Sequence, residues 1–254
     1  MLDTPAAAGA FNMALDEALM DSVREGGRPV LRFYRWEPAC LSLGRNQPAA
    51  GLYDREEIAR RGLDVVRRPT GGRAVLHDRE LTYAVVMEER ALGTLRQAYA
   101  AINRALCAAV RDLGVPAVLQ SRLASRAPAP SLAPCFRDPA EGEVVVGGRK
   151  LVGSAQYRQR GVLLQHGSLL LENDQALLPG LRSGPPQPPE DEPAVLADYR
   201  RPLPSWAELT AAVAAAWARE LPASLSPEAP SPGELARATE LLDKYAGVAW
   251  TWHR

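Results

Sequence analysis

A cysteine, a lysine, arginines around a diglycine and two histidines are the residues whose type and spacing can do chemistry in this chain. Cys135 ends a stretch crowded with proline, alanine and serine, and Arg137, Arg149 and Lys150 follow it. A thiol becomes a nucleophile when nearby positive charge lowers its pKa and substrate can reach it, and a proline-rich loop offers access. Taken alone, a cysteine is more simply an inert, partly buried thiol, and a lysine beside a hairpin turn is more simply a surface group. The second concentration is RRPTGGRAVLHDRELTY, residues 67–83. Gly71 and Gly72 let backbone approach a ligand and tolerate positive φ, while Arg67, Arg68 and Arg73 bring fixed charge and forked donors. Such a loop can hold an anion or a polarised carbonyl, although an ordinary turn with solvated arginines uses the same residues. His77 in this string and His166 in QHGS have an unperturbed pKa near about 6.5, so each can shuttle protons or orient a loop. Asp78 and Glu80 read as partners for the arginines, and His253 as a solvated residue.

RRPTGGRAVLHDRELTY resembles the signature loop of the biotin/lipoate protein ligase and lipoyl/octanoyl transferase family. NMALDEAL (12–19) is similar to that family's first helix, and Gly44-Arg45-Asn46-Gln47 to its S-x-G-x-x-Q segment. KYAGVAWTWHR is similar to its ending, with Thr251 where asparagine is more usual. Within the family, PCF (134–136), the P-x-E-x-E after it and GGRKLVGSAQYRQRGVLLQHGSLLL resemble the cysteine-dependent, ligase-like octanoyl-[acyl carrier protein]:protein N-octanoyltransferases.

The resemblance implies an α+β, biotin/lipoate ligase-like catalytic domain in which Cys135 carries the acyl group as a thioester. It makes Lys150 the lysine that contacts the acyl carbonyl or its oxyanion. It assigns acyl and substrate binding to Arg67, Arg68, Gly71, Gly72, Arg73, His77, Gly153, Ser154, Ala155 and His166, with no metal. The implied donor is the octanoyl-phosphopantetheine of acyl carrier protein. The implied acceptors are lysines of lipoyl domains, in the glycine cleavage H protein and the acyltransferase subunits of 2-oxoacid dehydrogenases. No cofactor is required on this reading; ATP and Mg belong to the rival one, a lipoate–protein ligase. That ligase signature usually continues H-D-x-G-N, whereas here it continues His77-Asp78-Arg79-Glu80, and a C-terminal accessory domain is not evident. A biotin ligase is disfavoured because G-R-G-R-x-G-R is absent. Octanoyl transfer between lipoyl-bearing proteins and a non-catalytic acyl-binding homologue stay open, the latter because Ala140 and Gly142 stand where serine and tyrosine are common.

These residues need elements to position them. Apolar spacing predicts a helix over Asn12–Glu25, ended by Gly26-Gly27, with Asp16 and Glu17 complementing the dipole near its start. Strand-like runs cover Pro29–Tyr34, Cys40–Leu43, Leu63–Arg67, Ala74–Leu76 and Leu81–Met87, with a short helix over Tyr53–Arg61. Ala98, Ile102, Leu106, Val110 and Leu113 mark a long helix with Cys107 as a small core residue. Ser121–Pro134 reads as an exposed loop. Glu143–Val146, Lys150–Gln156 and Gly161–Leu171 read as strands, with Gly147-Gly148 suited to a type I′ hairpin. Pro179–Pro204 reads as a surface connection, followed by helices over Trp206–Glu220 and Gly233–Tyr245, the second burying Leu235, Leu241 and Leu242. This irregular interleaving suggests mixed or antiparallel sheets flanked by helices in a single domain over residues 1–254.

With 254 residues, 46% hydrophobic and 24% charged, the chain can bury one large core. Lys+Arg and Asp+Glu are both 30, so the balance argues against a dedicated nucleic-acid binder, and any basic patch for acidic protein partners is local, as around Arg158 and Arg160. The three cysteines are widely spaced, fitting neither a disulfide framework nor a metal site. No stretch reads as a leader or a membrane span, and the expected location is the cytoplasm.

Overall fold

The computed structural model describes residues 1–121, 136, 140–184 and 192–253. Cys135, Arg137 and most of the proline-rich stretch expected to be a loop lie outside them. The elements run β1 (Leu2–Asp3), α1 (Gly9–Arg24), β2 (Val30–Tyr34), β3 (Cys40–Leu43), α2 (Arg55–Arg60), β4 (Asp64–Arg67), β5 (Val75–His77) and β6 (Glu80–Glu88). They continue with α3 (Leu95–Asp112), β7 (Val118–Leu119), β8 (Val144–Val146), β9 (Arg149–Gln159), β10 (Val162–Leu170), α4 (Trp206–Glu220), α5 (Pro232–Ala246) and α6 (Val248–Thr251).

β6 organises the larger sheet. Its order is β1-β2-β6-β10-β9-β8-β7, antiparallel except for β1 beside β2. Successive side chains of a strand point to opposite faces, so β6 feeds two cores at once. Leu81, Tyr83, Val85 and Met87 join the core built with α3 and α4, whereas Ala84 and Val86 join the one built with α1 and α5. That double burial is why the strand reads as a nearly unbroken apolar run. Thr94 and Gln97 close a capping box at the start of α3, and Ala98, Ile102, Ala105, Leu106, Ala109 and Val110 make its buried stripe. Cys107 is buried among them, as expected.

The smaller sheet, β4-β3-β5, is parallel between β3 and β4 and antiparallel between β3 and β5. It carries residues 68–74, the diglycine turn, between β4 and β5. The fold is therefore the mixed α+β arrangement expected. Between β8 and β9, Gly147 (φ 57°) and Gly148 (φ 78°) occupy the positive-φ positions that a type I′ turn requires.

Two expectations about the C-terminal half are corrected. The proline-rich stretch is not simply a surface connection, because Leu181 and Ala194–Leu196 are buried and Ala194 N–H donates to the Lys150 carbonyl. Prolines exclude regular helix and strand, but they do not exclude packing. On α5 the buried residues are Ala238, Leu241 and Tyr245, while Leu235 is 41% exposed, one helical step outside the stripe that meets α1. Among the described residues no helix is long and apolar enough to cross a membrane.

Candidate active site

The site begins as a row of small side chains across the larger sheet. Pairing register aligns Gly153, Ser168, Thr82 and Tyr34 in one row, and Ala155, His166, Ala84 and Arg32 in the next on the same face. Small residues in the middle of a sheet face leave a trough that neighbouring elements must fill or roof. Here it stays open as a small, largely apolar cavity. Met13, Tyr34 and Trp36 line its α1–β2 side, and Phe136 lines it over Gly153. Ser42, Arg68, Val75 and His77 from the smaller sheet and its turn complete the lining. Of the predicted site residues, Arg68, His77, Gly153, Ser154, Ala155 and His166 meet on this cavity.

Gly153 is a glycine for a steric reason: a Cβ there would stand 2.7 Å from Phe136 Cζ, so the ring lies directly on the strand. The diglycine turn is closed similarly. A Cβ on Gly44 would stand 2.0 Å from the Gly72 carbonyl, and Gly72 itself has φ +96°. The glycines thus let two backbones touch.

The arginines serve the turn from within the protein. Arg67 is fully buried and donates from Nη1 to the carbonyls of Gly44 (2.6 Å) and Gln47 (2.8 Å) and from Nε to that of Thr251 (2.9 Å). Trp250 Nε1 in turn donates to the Arg67 carbonyl, tying α6 to β4. Arg68 donates to the Ser42 carbonyl and hydroxyl and to the carbonyls of Gly71 and Arg73, which cinches the turn. Forked guanidinium donors suit several carbonyls at once, so the charge expected for ligand binding is here also a fastener for the loop. Arg67, Gly71, Gly72 and Arg73 are not among the described lining residues; they build the turn behind it.

Each cavity histidine sits in a carboxylate–imidazole–hydroxyl chain. His166 Nδ1 lies 3.1 Å from Asp16 Oδ2 and its Nε2 lies 2.7 Å from Thr70 Oγ1. Asp16 also accepts from Arg32 Nη1 at 2.7 Å, a pair whose side chains are both 0% exposed, and from Tyr34 Oη. Burial lowers the His166 pKa, partly opposed by Asp16, so the ring is neutral with its proton directed to the carboxylate. The same burial and the Asp16 charge push the Tyr34 phenol well up. His77 Nδ1 lies 2.7 Å from Glu80 Oε1 and Nε2 lies 2.7 Å from Ser42 Oγ, with the ring stacked on Trp36 at 4.1 Å and 13°. Glu80 Oε1 also accepts from Ser168 and Thr82.

These contacts correct three sequence expectations. Asp16 and Glu17 are not dipole-compensating residues at a helix start. They lie mid-helix in α1, Asp16 facing the cavity network and Glu17 accepting from Lys244 and Tyr245 of α5. Glu80 serves His77 instead of an arginine. Arg79 pairs with Glu172 and Asp174, while burial raises the Asp78 carboxyl. No local pattern signals pairs such as Asp16–His166, whose members lie 150 positions apart in the chain.

Lys150 is buried with its Nζ 2.7 Å from Glu143 Oε1 and 5.4 Å from the centroid of Phe136. Glu143 also accepts from Tyr99 Oη and from Ala140 N–H. Ser154 bonds Tyr83 Oη at 2.6 Å, and burial pushes that phenol up to about 12. Sequence reasoning did not single out Ser42, Trp36, Glu143 or Phe136; the P-x-E-x-E pattern was the available hint for Glu143. Among the described cysteines, Cys40 and Cys107 are free and buried, and burial raises both thiols.

The family model described as "Lipoyl protein ligase A/B catalytic domain" matches residues 8–216. "Octanoyltransferase LipM" of Kyrpidia tusciae is 41% identical, over 100% of this chain and 98% of its own length. The protein of the same name from Brevibacillus brevis is 39% identical over 99% of this chain and 97% of its own. Among solved structures, a putative lipoate protein ligase from T. acidophilum with bound lipoic acid superposes with TM-score 0.81 at 25% identity, covering 100% of this chain and 97% of that one. Lipoate-protein ligase A bound with ATP gives 0.79 at 25% identity, covering 99% and 96%.

Proposed function

Since the chain belongs to the lipoyl protein ligase A/B catalytic domain family and is an acyltransferase, we propose that it transfers an octanoyl group to a lysine of lipoyl domains through a thioester on Cys135. In this reading the Cys135 thiolate attacks the thioester of octanoyl-acyl carrier protein. A new S–C bond forms and the phosphopantetheine thiol leaves. A lysine amine of a lipoyl domain then attacks, the C–N bond forms, and the Cys135 thiolate is released. One covalent stage lets two protein substrates use one cavity in turn. ATP and metal have no part in this route, and its setting is the cytoplasm.

The observation that carries the reading is the placement of Phe136. The chain neighbour of Cys135 lies on Gly153 at the cavity wall, with the Lys150 ammonium beside its ring. In this reading the buried Lys150 ammonium lends positive charge to the developing acyl oxyanion and lowers the barrier to both attacks. Glu143 holds that ammonium in place. Gly153, Ser154 and Ala155 keep β9 slim enough for an acyl chain to lie along the trough.

The test is intact-mass analysis after incubation with octanoyl-acyl carrier protein, and separately with free octanoate and ATP. The carrier protein alone is expected to add one octanoyl mass, which hydroxylamine removes and which Cys135→Ala does not acquire. Equal labelling of Cys135→Ala refutes the nucleophile; a requirement for free acid and ATP makes the protein a ligase.

A further inference from the structure

Of the two carboxylate–imidazole–hydroxyl chains on this cavity, only one ends on the space itself. Thr70, the hydroxyl bonded to His166, is fully buried in the diglycine turn and is not a lining residue, so that chain pins the turn. Ser42, the hydroxyl bonded to His77, does line the cavity, on β3 beneath the Arg68 guanidinium. We propose that Ser42, His77 and Glu80 form the proton relay for acyl transfer at this cavity, with Ser42 Oγ as its contact with the reacting amine. The inference deepens the function proposed above and rests on it.

The hydrogen bonds set the direction of the relay. Glu80 Oε1 receives Ser168 Oγ at 2.7 Å as well as His77 Nδ1 at 2.7 Å, so it faces donors and the imidazole proton sits on Nδ1. Nε2 is then an acceptor, and the Ser42 hydroxyl donates to it over 2.7 Å. Arg68 Nη1 occupies a lone pair of the same hydroxyl at 3.0 Å, which favours charge building on Oγ and leaves its proton directed to His77. Stacking on Trp36 fixes the plane of the ring, and Trp36 is itself held by Nε1 donating to Thr82 at 2.8 Å. A base oriented by a carboxylate and bonded to a hydroxyl on a substrate cavity is the arrangement that acyl-transfer chemistry uses to move protons.

The lysine ammonium does not offer the same service. Lys150 is ion-paired with Glu143 at 2.7 Å and sits behind the Phe136 ring, an arrangement suited to holding positive charge near the acyl oxygen. The incoming amine still has a proton to lose. As its nitrogen bonds the acyl carbon and the C–S bond breaks, the nitrogen's proton passes to Ser42 Oγ while the Ser42 proton passes to His77 Nε2. The resulting imidazolium faces the Glu80 carboxylate, and returning its proton through Ser42 to the departing thiolate restores every group. No oxidant, reductant or further reactant enters.

The experiment starts from protein already carrying the octanoyl group and measures its single-turnover loss to two nucleophiles, a lipoyl-domain lysine and hydroxylamine. Hydroxylamine is unprotonated near neutral pH and strongly nucleophilic, so it needs little help from a base. His77→Gln and Ser42→Ala are expected to slow transfer to lysine by ~100-fold or more while slowing hydroxylamine release by less than about 10-fold. Glu80→Gln, which keeps an acceptor but removes the charge, is expected to fall between them and the parent. Unchanged transfer to lysine in His77→Gln, or equal slowing with both nucleophiles, overturns the relay and leaves His77 a structural residue. A parent that forms no octanoyl-protein overturns the cysteine route instead, and the two failures are read from different steps.

Discussion

Replacing Arg67 with methionine separates a residue that binds substrate from one that fastens the loop. Its guanidinium reaches three main-chain carbonyls between 2.6 and 2.9 Å, belonging to Gly44, Gln47 and Thr251, in a fully buried setting. Hydrogen bonds to charged groups contribute about 1.5–3 kcal/mol each, and orphaned buried carbonyls add their own desolvation cost. Counting only two such bonds at the low end, Arg67→Met is expected to lose about 3 kcal/mol or more. For a domain of this size, that corresponds to a Tm lowered by roughly 6–12 °C. Methionine fills much of the apolar stem's volume, so the loss isolates the donors from the packing. Arg67→Lys keeps a charge but not the fork, and is expected to recover only part of the loss. Chemical denaturation gives the free energy, and acyl loading measured well below the melting range gives the function. An Arg67→Met protein that melts within about 2 °C of the parent but takes up no acyl group refutes the reasoning and returns Arg67 to substrate binding.

Two other outcomes follow from single contacts. Gly153→Ala puts a Cβ 2.7 Å from Phe136 Cζ and must displace the ring, costing about 1–3 kcal/mol by overpacking and lowering the rate of acyl loading; unchanged loading kinetics show that the ring position is irrelevant. His166 is held neutral by burial, so its folded pKa lies below the unfolded one. The unfolded chain therefore takes up a proton first as pH falls, and stability is full above about 6.5 and lost below it, down through the folded pKa. Melting curves between pH 7.5 and 5.5 are expected to show this decline in the parent and a shallower one in His166→Gln; equal slopes remove His166 as its source.

The sequence alone specified the parts governed by local rules. The apolar run Leu81–Met87, the helical spacing of Ala98 to Val110 and the glycines at 147–148 each carry their conformation in a few neighbouring residues. The signature string around Gly71-Gly72 likewise identified the family, because its letters are contiguous. The extent of α4, Trp206–Glu220, followed likewise from its apolar spacing.

Only the tertiary structure decided what the charged residues do. A guanidinium or carboxylate has no preferred partner in sequence; burial removes water and obliges each one to find a partner wherever the packing brings it. Asp16 therefore meets Arg32 and His166, Glu80 meets His77, and Lys150 meets Glu143, although Asp16 and Glu80 read as a helix-end charge and an arginine partner in the linear chain. The register of β2, β6, β10 and β9 decided the rest, lining up Gly153, Ser168 and Thr82 as the floor of one cavity. A trough made by the absence of side chains on separate strands exists only once those strands are paired.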